Sequence, residues 1–182
     1  MRIVDLDQLK KGTPGITEAV GAYLSQATSY FLEANGHKSG VILEVVGLFE
    51  ENFQIIWSDK VDDKVKRSWK DRIEATEYAA VGIATLLTEL LLNLSIVERS
   101  YIGTYVDYIL GAMNADNSYF KHKAKLEISG IGKETSKNTI NQRIKVKLNQ
   151  VQKSADKELP SYVIVVEFGR PKAKIVKDET TL

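Results

Sequence analysis

The sequence contains no cysteine and only two histidines among its 182 residues. The absence of cysteine excludes disulfide bonds, zinc–thiolate sites, cysteine nucleophiles and thiol redox chemistry. His37 and His122 are too few for an all-histidine metal site, and neither lies in a motif that supports a Ser-His-Asp triad. Phosphate-binding glycine loops, G-x-S-x-G and H-E-x-x-H are also absent from the sequence. Any catalysis must therefore use carboxylates, hydroxyls, amides and lysines, together with a hard metal ion.

The chain also lacks a large excess of one charge and a long hydrophobic run. It has 25 Lys and Arg against 24 Asp and Glu, a net charge of +1. The longest apolar stretch, residues 79–94, is interrupted by Thr85 and Glu89 and is shorter than the roughly 20 residues that cross a bilayer. The first residues show no signal-peptide layout. We therefore expect a cytoplasmic protein of one domain, residues 1–182, with no membrane association.

Hydrophobic periodicity predicts an α/β (α+β) fold, with a central mixed β-sheet flanked by helices. Residues 1–62 are expected to form an N-terminal elaboration, with a helix at 16–34 and a β-hairpin at 41–57. The apolar side chains of this hairpin, which could form a contact surface, are Leu48, Phe49, Phe53 and Trp57.

Residues 63–176 are expected to form the core of the domain. A long helix is predicted over residues 64–94, with a bend near Gly82. The remaining predicted elements are strands at 96–100, 105–110 and 124–129, a helix at 136–153, a strand at 162–168 and a short edge strand at 172–176.

From residue 64 to 168 the predicted order is helix, strand, strand, strand, helix, strand. This α-β-β-β-α-β order, with Asp107 on the second strand and Glu127 on the third, resembles the restriction-endonuclease-like, PD-(D/E)XK nuclease fold. In that family a carboxylate on the second strand and an E-x-K triplet on the third bind Mg²⁺. The resemblance implies that Asp107 and Glu127 are catalytic metal ligands. It also implies that Glu77, on the preceding helix, assists them.

The sequence departs from the family pattern at position 129, where Ser129 replaces the lysine of the triplet. Two lysines could take its place: Lys125, on the same strand face as Glu127, or Lys147 on the next helix. The whole chain, with segments such as residues 74–77 and 126–130, also resembles small uncharacterised bacterial proteins, which indicates no function.

Strand alternation alone allows the two carboxylates to converge, since neighbouring strands would place them at a common sheet edge. Mg²⁺ prefers oxygen ligands and is commonly held by one or two carboxylates. Structural roles are the alternative: Asp107 would cap a turn or pair with Arg99, and Glu127 would pair with Lys125. Glu77 falls on the apolar side of its helix, where a carboxylate is unusual.

The basic residues are concentrated between residues 121 and 153, where nine Lys or Arg face only two Glu. Such a segment could contact a phosphate backbone, or it could be a solvated helix face. The candidate nucleic-acid-binding residues are Lys121, Lys123, Lys133, Arg143 and Lys145. The segment has no interleaved aromatic residues that would form a stacking platform for single strands.

Two functions remain open at this point. The first is a non-catalytic or diverged restriction-endonuclease-like protein, acting as a binding or assembly module and associated with nucleic acid, a protein partner in a larger complex or a second copy of itself. The second is a Mg²⁺-dependent nuclease that cleaves phosphodiester bonds, for which Mg²⁺ would be the cofactor. Convergent carboxylates with a lysine beside them in an open cleft would favour the nuclease.

Overall fold

The fold is built on one mixed β-sheet of eight strands, with helices packed on both of its faces. The computed structural model describes residues 1–113, 120–154 and 158–178. The strands are β1 (Arg2–Asp5), β2 (Val41–Gly47), β3 (Glu51–Ile56), β4 (Ser95–Arg99), β5 (Tyr108–Met113), β6 (Phe120–Ile131), β7 (Ser161–Glu167) and β8 (Lys172–Lys177). The helices are α1 (Glu18–Ala34), α2 (Asp63–Ser68), α3 (Arg72–Leu87) and α4 (Ile140–Val151). The predicted α/β class is therefore confirmed.

The strands lie in the order β1-β3-β2-β8-β7-β6-β5-β4. The three strands β4, β5 and β6 pair antiparallel, whereas β6 and β7 pair parallel and are connected through α4. A parallel pair needs such a crossover, because the chain must return to the end of the sheet where β6 began before β7 can start. From α3 to β7 the chain therefore runs helix, strand, strand, strand, helix, strand.

Two apolar layers enclose the sheet. Helices α1 and α3 cover one face, where Phe31 and Ile83 belong to the same buried cluster as Leu126 and Ile128 of β6. Helix α4 covers part of the other face through Ile144, in a cluster with β7 residues. Because side chains alternate along a strand, the residues between Leu126 and Ile128 and beyond point to the α4 side.

The predicted long helix at 64–94 is wrong, because the chain breaks between α2 and α3. Trp69 ends α2 and is buried, and Asp71 caps α3 by accepting hydrogen bonds from two backbone N–H groups of its first turn. A side-chain cap of this kind satisfies N–H groups that have no partner at a helix start. Gly82 lies inside α3 rather than at a bend, and a Cβ there would lie 2.3 Å from Oγ1 of Thr28 on α1.

The predicted edge strand at 172–176 is also wrong in its placement. β8 lies inside the sheet, parallel to β2 and antiparallel to β7. It therefore joins the N-terminal hairpin to the core in one continuous sheet. Phe53 and Trp57 of the hairpin are buried, so they do not form a contact surface, whereas Leu48 at the hairpin turn is 46% exposed.

The strand predicted at 105–110 begins three residues later, at Tyr108. Tyr105 has a left-handed backbone, with φ of 65°, which is incompatible with an extended strand. Asp107 therefore lies in the connection that leads into β5, immediately before its first residue.

Helix α3 continues directly into a short π-helix, Thr88–Leu92. Within the described residues, the combined stretch Arg72–Leu92 is the one helix long and apolar enough to cross a membrane by length and composition alone. It is mostly buried inside the protein, and this is consistent with a core helix of a soluble protein.

Candidate functional site

Asp107 and Glu127 face each other where β5 begins beside β6. Tyr108 pairs with Leu126 in the antiparallel register, and the next step of that register places Asp107 opposite Glu127. The backbone N–H of Asp107 donates to the Leu126 carbonyl at 2.9 Å, and the N–H of Ile128 donates to Asp107 Oδ2 at 2.8 Å. These bonds fix the Asp107 carboxyl group against the strand that carries Glu127. The expected convergence of the two carboxylates is therefore present.

The Glu127 carboxyl group is buried, with 2% of its side chain exposed. Its Oε1 accepts hydrogen bonds from Lys147 Nζ at 2.6 Å and from Gln150 Nε2 at 2.9 Å. Its Oε2 is buried and has no hydrogen-bond partner within the described part of the chain. A buried carboxylate oxygen without a partner is costly, so this atom is suited to a ligand or a proton.

Both carboxyl groups bind protons more tightly than they would in water. Burial, followed by the negative charge of Asp107, raises the pKa of Glu127 from 4.5 to about 7, although Lys147 opposes the shift. Burial likewise raises the pKa of Asp107, and the Ile128 N–H and the Lys147 charge partly offset this. Two close carboxyl groups in a desolvated setting favour either one shared proton or one bound cation.

Helix α4 presents a polar stripe to these carboxylates. Arg143, Lys147 and Gln150 are spaced i, i+4 and i+7 and therefore lie on one side of the helix. Lys147 and Gln150 reach Glu127, and Arg143 Nη1 donates to the Ser129 hydroxyl at 3.0 Å. The capping box at Thr139 fixes where this helix begins.

The position that would carry the family lysine is therefore occupied by a serine bonded to an arginine. Ser129 points to the same face as Glu127, and its hydroxyl accepts a hydrogen bond from Arg143, which also donates to Asn138 at 2.9 Å. Arg143 and Lys147 of α4 bring two positive charges to this site. Lys147, one of the two expected substitutes, lies with its Nζ 2.6 Å from Glu127 Oε1.

Lys125 and Glu77 lie on either side of the carboxylate pair. Lys125 is buried on the α4 side of β6, two residues before Glu127. Glu77 is exposed on α3, contrary to the expected apolar setting, because its side of the helix faces a cavity instead of the core.

Two cavities open onto Asp107 from opposite sides. One, of about 130 Å³, is lined by Glu77, Tyr78 and Asp107 among others. The other, of about 320 Å³, is lined by Asp107, Glu127, Gln150 and the residues that connect β4 to β5. Arg99 lines both cavities, so a cation stands beside Asp107 at their junction.

The donor set fits a hard cation but supplies only two carboxylates. Within the described residues, no group of three or more His, Cys, Asp or Glu side chains is placed to hold a metal. Asp107 together with the unpartnered Oε2 of Glu127 offers the one or two carboxylate oxygens that Mg²⁺ takes, with water and phosphate completing the shell. The residues present therefore fit Mg²⁺.

The candidate nucleic-acid-binding residues do not form one strip. Lys121 and Lys123 are exposed on the strand that carries Glu127, and Lys133 is exposed in the loop after it. Arg143 lies at the site, as described above. Lys145 lies on the other flank of α4, towards β8, one turn from the Asn141 side chain that accepts a hydrogen bond from Lys174.

The connection between β4 and β5 was not among the residues predicted for the site. It carries Tyr101, Ile102 and Tyr105, all exposed, and all three line the larger cavity. The signal available in the sequence was a short run of aromatic and β-branched residues around Gly103, where the strands predicted at 96–100 and 105–110 meet.

Compared with models of known protein families, with curated proteins and with solved structures, the chain matches none of them.

Proposed function

We propose that this protein is a Mg²⁺-dependent nuclease, acting in the cytoplasm, in which Asp107 and Glu127 bind the metal. The observation that carries the proposal is the pairing of a half-buried Asp107 with a buried Glu127. The Lys147 ammonium lies 2.6 Å from one oxygen of Glu127, and the other oxygen has no hydrogen-bond partner among the described residues. A pair of carboxylates at a cavity, with a lysine beside it, supports phosphodiester hydrolysis on a hard metal. The resemblance to the restriction-endonuclease-like fold, drawn from the order of elements, supports the same function.

When bound, Mg²⁺ would polarise the phosphodiester and lower the pKa of a coordinated water. Asp107 is held in place by the Ile128 N–H, so its carboxylate needs no reorientation to act as a ligand. Lys147 keeps Glu127 oriented through Oε1 and supplies a positive charge next to the reacting phosphate. Arg99, at the junction of the cavities, is placed to contact a neighbouring phosphate.

A second candidate function is supported by the setting of Ser129. Its bond to Arg143, together with the pairing of Glu127 with Lys147, is also what a non-catalytic binding or assembly module would keep to satisfy its buried polar groups. In that case the protein would hold nucleic acid, a protein partner or a second copy of itself without cleaving it, and would need no metal.

A cleavage assay distinguishes the two functions. Purified protein is incubated with single-stranded and duplex DNA and RNA in Mg²⁺, in Mn²⁺ and in EDTA, alongside the Asp107→Ala variant. The nuclease proposal predicts metal-dependent cleavage that Asp107→Ala abolishes. The control is Glu44→Gln, which removes an exposed glutamate paired with Lys172 at 2.8 Å on β2, three strands from β6, and should cleave normally.

Two results would contradict the nuclease proposal. One is the absence of cleavage with either metal, and the other is cleavage that persists at the same rate in Asp107→Ala. Retained nucleic-acid binding without cleavage would support the binding module instead.

A further inference from the structure

The connection between β4 and β5 exposes three apolar side chains at the edge of the carboxylate site. The exposed fractions are 78% for Tyr101, 107% for Ile102 and 44% for Tyr105. We refer to residues 101–105 as the 101–105 loop. Single exposed apolar residues are common on protein surfaces, but three within five residues form a patch that marks an interaction site.

Hydrogen bonds within the 101–105 loop and from α4 support its conformation. The hydroxyl groups of Ser100 and Thr104 lie 2.7 Å apart, and Thr104 also donates to the Tyr101 carbonyl at 2.7 Å. Gln150, which binds Glu127, donates to the Tyr105 carbonyl at 3.3 Å. Tyr105 itself adopts a left-handed backbone that costs free energy in a residue with a large side chain. These contacts favour presentation of the apolar side chains before a ligand binds.

The loop and the carboxylates share the same cavity. Tyr101, Ile102 and Tyr105 line the 320 Å³ cavity that also reaches Asp107 and Glu127. A planar group lying against the loop would therefore be next to the position of the reacting phosphate. Through Gln150, the same side chain supports both the loop and the metal-binding carboxylate.

We propose that the 101–105 loop binds an unpaired base of a nucleic-acid substrate, which makes single-stranded or locally unstacked nucleic acid the preferred substrate. This inference rests on the proposed nuclease function and specifies its substrate. Aromatic side chains stack on any base and contribute about 1–3 kcal/mol for each base held in this way. A base hidden in a duplex cannot reach the loop unless it is first extruded.

A protein partner is a poorer match for this patch. Stable protein interfaces use about 20–30 residues on each side, whereas the loop offers three apolar side chains around a cavity. The cavity is near the lower limit of about 300 Å³ for small-molecule pockets, a size suited to a single planar group.

The test compares single-stranded and duplex DNA of the same sequence. Binding of fluorescein-labelled DNA is measured by anisotropy in EDTA, and initial cleavage rates are measured in Mg²⁺. The variants are Tyr101→Ala and Ile102→Ser, both at exposed positions whose replacement should leave the fold intact, as far-UV circular dichroism would verify. The matched control is Leu48→Ser, an exposed apolar residue on the hairpin turn beside β2, three strands from β6.

We expect wild type to bind and cleave single strands better than duplex. Tyr101→Ala should weaken single-strand binding about 5- to 150-fold, and Ile102→Ser, which removes an apolar contact but no aromatic ring, should weaken it less. They should change duplex binding much less, and Leu48→Ser should behave as wild type. Equal binding by all variants, or equal losses on single strand and duplex, would overturn the inference.

The failures of the two proposals can be told apart. If wild type cleaves duplex DNA but not single strands, the loop inference is wrong and the nuclease function stands. If wild type neither binds nor cleaves any nucleic acid, both are wrong.

Discussion

The burial of Glu127 has a direct consequence for stability in the absence of metal. Its pKa is raised from 4.5 to about 7, so the folded protein holds a proton that the unfolded chain releases between these pH values. The folded state is therefore favoured by this group at low pH, and the advantage is lost as the pH rises through about 7. At about 1.4 kcal/mol for each pH unit, the loss amounts to about 3 kcal/mol.

The Glu127→Gln variant isolates this contribution, because its amide stays neutral at every pH. We expect the difference in free energy of unfolding between wild type and variant to change by about 3 kcal/mol from pH 4 to pH 8, with wild type losing stability. For a chain of this size the change corresponds to a relative shift of about 6–12 °C in Tm. Urea unfolding in EDTA, followed by far-UV circular dichroism at several pH values, measures it.

The matched control is Glu44→Gln. Glu44 also pairs with a lysine, but its side chain is 51% exposed. Exposed pairs contribute only about 0.2–1 kcal/mol, so this variant should stay within about 1 kcal/mol of wild type at each pH. A constant difference between wild type and Glu127→Gln from pH 4 to pH 8 would refute the reasoning. It would show that Glu127 ionises as it does in water.

Three further predictions follow from contacts at the site. Lys147→Met keeps the volume of the side chain but removes its charge, and it should lower kcat for cleavage by about 100-fold or more. Circular dichroism checks that the variant folds. A kcat within twofold of wild type would exclude a role for Lys147 in catalysis. Gly130→Ala should destabilise the fold by about 1–3 kcal/mol in urea unfolding, because its Cβ would lie 2.5 Å from the Thr76 carbonyl and push α3 from β6; unchanged stability would contradict this close approach. Glu77→Gln should reduce cleavage, whereas Glu74→Gln, one turn away and outside the described lining of the 130 Å³ cavity, should not; equal effects of the two variants would remove Glu77 from the site.

Local patterns were sufficient to predict several elements. β7 is a run of apolar residues buried on both faces, and α4 has one clear apolar stripe, so both were recognisable from the sequence. The convergence of Asp107 and Glu127 was also predictable, because consecutive short strands usually pair with each other. The sequence pattern therefore predicts individual elements and the pairing of strands that follow one another along the chain.

Other features depend on contacts between distant segments. The break at Trp69 arises because its ring packs 4.5 Å from that of Tyr23 on α1, and its indole N–H donates to Gln26 at 3.1 Å. β8 lies inside the sheet because it pairs with β2, which is separated from it by most of the chain. No local periodicity encodes either contact.

The choice between Lys125 and Lys147 also depends on a contact between distant segments. Lys125 and Lys147 were equivalent substitutes in the sequence, since one shares a strand face with Glu127 and the other lies on the following helix. The crossover from β6 to β7 places α4 over Glu127, and this packing brings Lys147 to its carboxylate. Ser129 is explained in the same way, because α4 also delivers Arg143 to its hydroxyl.

The proposed function requires that Asp107 and Glu127 together bind one divalent cation. Titration of the purified protein with Mn²⁺, followed by electron paramagnetic resonance, measures this directly without requiring a substrate. We predict one site in wild type that Mg²⁺ competes for and that is lost in both Asp107→Ala and Glu127→Gln. Absence of a site in wild type, or an affinity in either variant equal to that of wild type, would contradict this proposal.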